Sequence, residues 1–544
     1  MANRAASDDT VSGAFTRDVP GAGSSRRDVL RGALAGGVTL ASGGLAAACG
    51  GSSPSASTTP PAGGPRPRRG GNLRVGILGG STADTLDAHK EVTQPDAIRI
   101  MALYNSLVRL DAKAQVVNDL AEEMTPNKDA SVWTIRLKPG VTFHNGKDLT
   151  ATDVIFTFRR IANPKKPLDG ATGLAPVDLG ALRALDRLTV RVPMTTPYAS
   201  FPEQISAAYN FGIVPVGYNP ARPVGTGPFM YHSFTAGQQS VFVRNPHYFK
   251  PGLPYLDELT IIDNSSDTAA FNALQGGQLD IYSQATLTLA KQVTNNTALK
   301  ALVSLPGQWT PFTMRVDTPP FNDVRVRQAF RLLLNRPQLI GLALDGFGSV
   351  GDDVFSQWDP CYARDLHRAQ DISQAKFLLK QAGHENLAVQ LVTADFAAGV
   401  VQAAQVFAQQ AKAAGVTVTV KQVPVGTFYG PNYLHWPFAQ DFWAYSPYLS
   451  QVAQGSLSKS PFNETHWNDP AYVALYNKAN ATVDPARRCK IIHQMQMIDF
   501  ERGGYIIAAY NKQLDLMSSK VNGFAPAGTG VPLGNAGWEG AWIA

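Results

Sequence analysis

Aromatic and acidic side chains are concentrated in residues 441–448 of the sequence, close to a further indole at position 436. Aromatic rings bury a large area and stack on a bound molecule with a small loss of conformational entropy. The stretch therefore predicts a surface that binds a small ligand, although packing in the protein core would explain any single ring nearly as well. The candidate ligand-binding residues are Trp443, Tyr445, Asp441, Trp436, Tyr448, Trp309 and Trp358.

Motifs of catalytic and metal centres are missing from the sequence, which contains no GxSxG, HExxH or Walker motif. Residues 346–351 match GxGxxG, but they follow a helical pattern, whereas a dinucleotide needs this turn between a strand and a helix. The nine histidines include no pair spaced by three or four residues, which disfavours a local metal chelate. The sequence thus predicts a protein that is not an enzyme and that holds no cofactor or metal.

Helical and strand patterns alternate along the chain and would position these residues. Apolar residues at helical spacing predict helices at 95–107, 151–161 (capped by Thr150), 324–334, 372–383, 399–414 and 487–501. Alternating apolar residues predict strands at 71–77, 132–137, 239–244, 259–263, 388–393, 416–423 and 505–510. Helices interleaved with strands predict an α/β protein with mixed sheets.

The length of 544 residues is too great for one compact core and predicts about two to four domains. The formal charge of +6 is concentrated at the N-terminus, because residues 1–71 hold eight Arg and four Asp. Beyond them, 40 basic residues face 38 acidic ones. The rest of the chain is therefore nearly neutral, which does not favour binding to nucleic acid.

The N-terminal part has the composition of an export signal and a linker. Arg26 and Arg27 resemble a twin-arginine export signal, and the uncharged stretch after them is too short and too weakly apolar for a membrane-spanning helix. That stretch ends at Cys49 in a sequence similar to a bacterial lipobox. We therefore expect residues 1–48 to be a lipoprotein signal peptide, Cys49 to be lipidated and residues 49–71 to be a flexible tether.

Cys361 and Cys489 are the remaining cysteines. Export would permit a disulfide, but the sequence does not indicate that the two residues meet. Two isolated buried thiols are the preferred interpretation.

Several blocks occur in a fixed order along the chain. The most specific one, residues 120–154, contains Leu-Ala-Glu-Glu-Met, then Trp-Thr-Ile-Arg-Leu-Lys-Pro-Gly, then Leu-Thr-Ala-Thr-Asp-Val. The others are residues 224–229, 244–249, 320–330, and 469–470 with the helix from 485. Together they resemble the extracellular solute-binding proteins of the peptide and nickel uptake family, which are receptors of ABC importers. Within these blocks we expect Arg325 and Arg327 to anchor a helix start or to pair with carboxylates.

The resemblance implies a bilobal, periplasmic-binding-protein-like fold of type II, in the large cluster with an extra inserted domain. The implied domains are lobe I (72–110, 225–310 and 505–544), its inserted subdomain (111–224) and lobe II (311–504). The implied function is the substrate-binding component of an ABC importer, which captures its ligand by hinge closure and delivers it to the permease and ATPase. We expect a monomer held at the outer face of the membrane by its lipid anchor.

The resemblance also bears on the ligand. Peptide-binding members of the family place an acidic residue after a Trp to hold a free α-amino group, whereas Ala444, Tyr445 and Ser446 stand here. An oligopeptide or peptide-like molecule is the leading ligand class, with a sugar, another uncharged solute or a metal chelate as alternatives. A sensory protein that presents its ligand, or a surface hydrolase, are the alternative functions.

Overall fold

The computed structural model describes residues 66–206 and 209–544 of the chain. The predicted signal peptide with Arg26, Arg27 and Cys49, and residues 49–65 of the predicted tether, lie outside the described residues.

A mixed sheet of seven strands forms the first unit of the fold. Its strands, in spatial order, are Leu299–Ser304, Gln513–Ser518, Ile281–Ser283, Asn72–Leu78, Glu258–Asn264, Gln239–Arg244 and Phe229–Thr235. The central strand is parallel to both neighbours and the outer pairs are antiparallel. Its side chains Leu73, Val75 and Ile77 are fully buried, as strand alternation predicts. The helices of this unit are Gln94–Leu103, Asp267–Gln275, Ala290–Val293 and Pro532–Ala536.

A four-stranded antiparallel sheet with its own hydrophobic core lies between the first strand and Phe229 in chain order. Its strands, in spatial order, are Ala121–Pro126, Val132–Leu137, Thr189–Pro193 and Arg183–Ala184. Helix Ala151–Ile161 begins where the sequence predicts, because the N–H and the hydroxyl of Thr150 donate to the Asp153 carboxylate at 2.9 and 2.7 Å. The hairpin Val108–Leu110 and Val116–Asn118 and the helix Phe201–Ser206 complete this unit. We call these first two units the first half.

A five-stranded sheet and its helices form the second half of the molecule. The strands, in spatial order, are Thr417–Gln422, Ala388–Thr393, Phe438–Gln440, Phe312–Met314 and Tyr505–Ile506. The helices are Val324–Leu332, Arg336–Ala343, Ile372–Gln381, Val400–Ala411, Val425–Phe428, Tyr448–Gly455, Pro470–Asn480 and Pro485–Arg502. Two further pairs of short strands are Gly348–Val350 with Ala509–Asn511, and Val521–Asn522 with Trp542–Ile543.

Two adjacent segments connect the two halves. Residues 305–311 run from the seven-stranded to the five-stranded sheet, and residues 507–512 return. The segments are hydrogen-bonded to each other, since the Asn511 N–H donates to the Gln308 carbonyl at 2.8 Å. Two adjacent connecting segments can act as a hinge, because a few residues can absorb the rotation of one half against the other. The expected domain boundaries stay a prediction.

Cys361 and Cys489 form a disulfide, so the expectation of two isolated thiols is wrong. The loop that contains Cys361 packs on the helix Pro485–Arg502, where Gln496 accepts from the Ala363 N–H at 2.6 Å and donates to the Cys361 carbonyl at 3.1 Å. The two cysteines are 128 residues apart in sequence, yet their Cα atoms lie 4.8 Å apart. The pairing is therefore a product of tertiary packing.

Two motifs have structural roles. The GxGxxG match at 346–351 follows the helix Arg336–Ala343 and enters the short strand Gly348–Val350, so it lacks the strand-to-helix geometry of a dinucleotide turn. Arg325 pairs with Asp323 at 2.5 Å, and Arg327 donates to the carbonyls of Phe321 and Arg502, both at 2.6 Å. The two arginines thus anchor the start of helix Val324–Leu332, as expected.

Candidate ligand-binding cleft

A cavity lies between the two halves and has a volume of about 1270 Å³ including its open mouth. One wall comes from residues 442–462 of the second half. The facing wall comes from the first half, through residues 91–97, 169–173, 204 and 209–211, and residues 529–532 close one side. Pockets for small molecules are often formed between domains. The position of this cavity suits a small ligand held by both halves.

Trp443 lines the cavity at one end of a stack of four rings. The stack continues through Trp309, Phe355 and Tyr448, with ring centroids 5.9, 5.7 and 4.9 Å apart and nearly parallel planes. The main chains of Trp309 and Trp443 exchange two hydrogen bonds, of 3.0 and 2.8 Å, which fix Trp443 to a crossing segment. A Cβ atom at Gly455 would lie 2.9 Å from the Trp443 ring, so a side chain there would displace it. The indole is therefore held in place before any ligand binds.

Tyr445 also lines the cavity and is 2% exposed. Its hydroxyl has no hydrogen-bond partner among the described residues. The ring packs on Gly307, where a Cβ atom would lie 2.6 Å away, and burial raises the pKa of the phenol. The hydroxyl keeps its proton and can hydrogen-bond to a ligand.

Two carboxylates of the first half lie on the facing wall. The Glu91 N–H donates to Asp169 Oδ2 at 2.7 Å, and the Tyr209 hydroxyl donates to the Glu91 carboxylate. Burial raises the pKa of Asp169 to about 6, because the charged form loses hydration. This wall is therefore acidic at neutral pH.

Two buried amides lie on the same wall. Gln94, the first residue of helix Gln94–Leu103, is 5% exposed, and Asn210 is 1% exposed. Neither Gln94 Oε1 nor Asn210 Oδ1 has a hydrogen-bond partner within residues 66–206 and 209–544. A buried polar atom without a partner costs about 1–3 kcal/mol, which a donor from a ligand or water would offset. The wall thus presents two acceptors that need donors.

Of the seven predicted ligand-binding residues, the structure brings Trp443 and Tyr445 into the cavity lining. Trp309 and Tyr448 lie behind Trp443 in the ring stack and are almost fully buried. Trp358 packs behind Tyr445. The contact of Trp443 and Tyr445 with ligand stays a prediction.

Asp441 and Trp436 lie away from this cavity, beside a separate space of about 210 Å³ in the second half. Asp441 accepts hydrogen bonds from the Tyr429 hydroxyl and the Phe442 N–H, both at 2.8 Å. Trp436 stacks on Phe428, and its indole N–H donates to the Phe428 carbonyl at 3.1 Å. Both side chains are held by neighbours within the second half, and their role in ligand binding stays a prediction.

The sequence patterns did not predict the residues of the first-half wall. Glu91, Gln94, Asp169, Tyr209 and Asn210 lie in loops and helix ends, and no local pattern distinguishes them from other polar residues. The side-chain oxygens of Gln94 and Asn210 are buried without a hydrogen-bond partner, and this feature exists only in the folded chain.

Within residues 66–206 and 209–544, no group of three or more His, Cys, Asp or Glu side chains is arranged to hold a metal ion. No helix within the same residues has both the length and the apolar character of a membrane span.

The model of bacterial extracellular solute-binding proteins, family 5 Middle, matches residues 115–468. The chain belongs to this family. Its members are binding proteins that act outside the cytoplasm, so the resemblance seen in the sequence blocks is confirmed. The glutathione-binding protein GsiB of Pectobacterium atrosepticum is 26% identical over 480 residues, which cover 82% of this chain and 90% of that protein.

Solved structures show the same fold. The ABC transporter substrate-binding protein CtaP of Listeria monocytogenes aligns over 88% of this chain and 100% of its own with a TM-score of 0.76 and 21% identity. The periplasmic binding protein DppA of Helicobacter pylori, in complex with the peptide STSA, aligns over 88% and 98% with a TM-score of 0.73 and 20% identity. The predicted bilobal α/β fold of type II is confirmed.

Proposed function

We propose that this family 5 protein captures a peptide or peptide-like molecule in the cleft between its halves and delivers it to an ABC permease and ATPase. The observation that carries the proposal is the shared lining: Trp443 and Tyr445 come from one half, and Gln94 and Asn210 come from the other. A ligand that contacts both walls binds the closed form more tightly than the open form, and this difference is what shifts the equilibrium to closure.

The finer points of the proposal follow from the family and the sequence. The protein works as a monomer that binds without chemical change, and Cys49 anchors it to the outer face of the membrane through lipid. The lobes meet at the two crossing segments, residues 305–311 and 507–512.

Calorimetry and small-angle X-ray scattering test this function together. Titration with a mixture of tri- to pentapeptides should release or absorb heat, and the radius of gyration should fall on saturation. Mass spectrometry of the recovered ligand should find it unchanged. Conversion of the ligand would identify an enzyme, and binding without compaction would contradict hinge closure.

Transport is tested in the host. Deletion of the gene should abolish uptake of the bound ligand, and a copy with Cys49→Ser should leave the protein unanchored. Normal uptake after deletion, combined with loss of a response to the ligand, would favour a sensory protein.

A further inference from the structure

The charged side chains of the cleft lining have one sign. They are the carboxyl groups of Glu91 and Asp169, and no Lys, Arg or His lines the cavity within the described residues. Lys90 influences Asp169 from an exposed position and does not line the cleft. A buried ligand that carried net negative charge would meet two carboxylates in a site of low dielectric constant, which is unfavourable.

Aromatic rings make up much of the remaining lining. The six rings are Tyr209, Phe211, Phe442, Trp443, Tyr445 and Phe462. The face of an aromatic ring has negative electrostatic potential and attracts a cation, most strongly for Trp. The carboxyl groups and the ring faces therefore both favour a positively charged ligand.

Two amide oxygens without a hydrogen-bond partner are a second observation about the ligand, separate from the charge of the lining. Gln94 Oε1 and Asn210 Oδ1 are acceptors on side chains that are more than nine-tenths buried. An acceptor can be satisfied only by a donor, such as the N–H groups of an ammonium, a guanidinium or an amide. The two oxygens therefore favour a ligand that offers hydrogen-bond donors, whether N–H or O–H groups.

We propose that the ligand carries a cationic nitrogen group, held by the carboxylates of Glu91 and Asp169, with Gln94 and Asn210 accepting from its N–H donors. The inference rests on the proposed binding function and specifies the ligand class. It places the charge-recognising group on the first half, whereas peptide-binding members of the family place theirs after a Trp, where this chain has Ala444, Tyr445 and Ser446. Asp441 lies outside the cleft lining and is engaged by Tyr429.

A matched pair of peptide mixtures tests the charge of the ligand. One mixture contains synthetic tri- to pentapeptides of Ala, Gly, Ser and Leu with free α-amines, and the other contains the same peptides after N-acetylation. The full-length purified protein should retain the free-amine peptides and bind the acetylated ones roughly tenfold or more weakly, as loss of a charge-assisted hydrogen bond implies. Equal retention of both mixtures would overturn the cationic ligand and leave peptide binding intact.

Variants locate the group that recognises the charge. Asp169→Asn and Glu91→Gln keep the size and one acceptor oxygen of each side chain but remove its charge, so each should weaken binding of the free-amine mixture and reduce its advantage over the acetylated one. Asp345→Asn, at an exposed position outside the lining, is the matched control. Unchanged preference in Asp169→Asn and Glu91→Gln, with normal melting of the ligand-free proteins, would overturn the assignment.

If the protein retains neither mixture, peptides are rejected as ligands. A second panel of compounds then tests the charge of the ligand. In that case agmatine and putrescine are compared with glucose and maltose by thermal shift. Stabilisation by the cations alone supports the cationic site. Stabilisation by the sugars alone, or by none of the four, overturns it.

Discussion

The indole of Trp443 combines two features at the scale of a single residue. It faces the cleft and it is backed by the rings of Trp309, Phe355 and Tyr448. A large ring that is already fixed loses little entropy when ligand stacks on it, which is why such residues dominate binding energies.

Trp443→Ala should therefore weaken ligand binding by about 30-fold, which corresponds to a loss of about 2 kcal/mol. Calorimetry with the free-amine peptides measures the change. Trp436→Ala is the matched control, because that indole packs on Phe428 beside the other cavity and should leave the affinity near that of the wild type. Equal losses in the two variants would show that a general loss of packing is responsible.

The carboxyl group of Asp169 should make binding depend on pH. Its pKa is raised to about 6 by burial, so it loses its negative charge as the pH falls below that value, and affinity for a cationic ligand should decrease from pH 7 to pH 5. Five charged or titratable groups lie around this position: Glu91, exposed Lys90, Asp87, its ion-pair partner Arg160, and His89, whose pKa burial lowers to about 4. Calorimetry at both pH values on wild type and Asp169→Asn checks the effect, and an equal dependence in both would assign it elsewhere.

The sequence predicted part of the site because aromatic residues cluster locally around Trp443 and Tyr445. It did not predict Gln94 or Asn210, which are ordinary amides until two loops of the first half bury them. It named Asp441 as a candidate ligand-binding residue, whereas in the fold Asp441 accepts from the Tyr429 hydroxyl and lies outside the cleft lining. Residue type and spacing thus identify a binding surface, and only tertiary structure identifies which charge it presents.

The disulfide between Cys361 and Cys489 acts at the scale of elements, because it ties a long loop to the helix Pro485–Arg502. A cross-link over 128 residues restricts the unfolded chain strongly. The double variant Cys361→Ser with Cys489→Ser should lower the free energy of unfolding by about 2–5 kcal/mol.

Denaturant unfolding followed by circular dichroism measures this loss. The oxidised wild type is the reference, and the reduced wild type should unfold at the same denaturant concentration as the double variant. An unchanged midpoint in the double variant would show that the cross-link adds nothing to stability.

Most elements were predicted well because their patterns are local. Helix 151–161 and strands 239–244 and 388–393 agree with the structure at both ends. Elements that meet the hinge agree less. The predicted strand 505–510 is divided into Tyr505–Ile506 and Ala509–Asn511, since the chain leaves one sheet and joins another strand within six residues. A period of two in the sequence does not show which sheet a strand joins.

At the scale of the whole molecule, the two halves touch outside the cleft lining. The Ser200 hydroxyl donates to Asn480 Oδ1 at 2.6 Å, and Arg488 pairs with Glu203 at 2.8 Å. Ser200 and Glu203 belong to the first half, and Asn480 and Arg488 to the second. Because these contacts join the two halves, we expect them to favour the closed form over the open one.

Ser200→Ala and Arg488→Gln should therefore weaken ligand binding by roughly three- to tenfold without changing any residue that lines the cleft. Calorimetry gives the affinity, and X-ray scattering at saturating ligand should still find the compact form. Glu385→Gln, which removes the exposed pair with Lys380, is the control and should have no effect. An affinity equal to that of the wild type would show that closure depends on the ligand alone.

The parallel indoles of Trp309 and Trp443 are two chromophores held 5.9 Å apart, one in a crossing segment and one at the cleft. Transitions of chromophores at this separation couple, and the coupled near-ultraviolet signal depends on their mutual angle. Filling the cleft changes the surroundings of only one member of the pair. The molecule thus contains its own optical reporter of occupancy, which detects a bound ligand without an added dye.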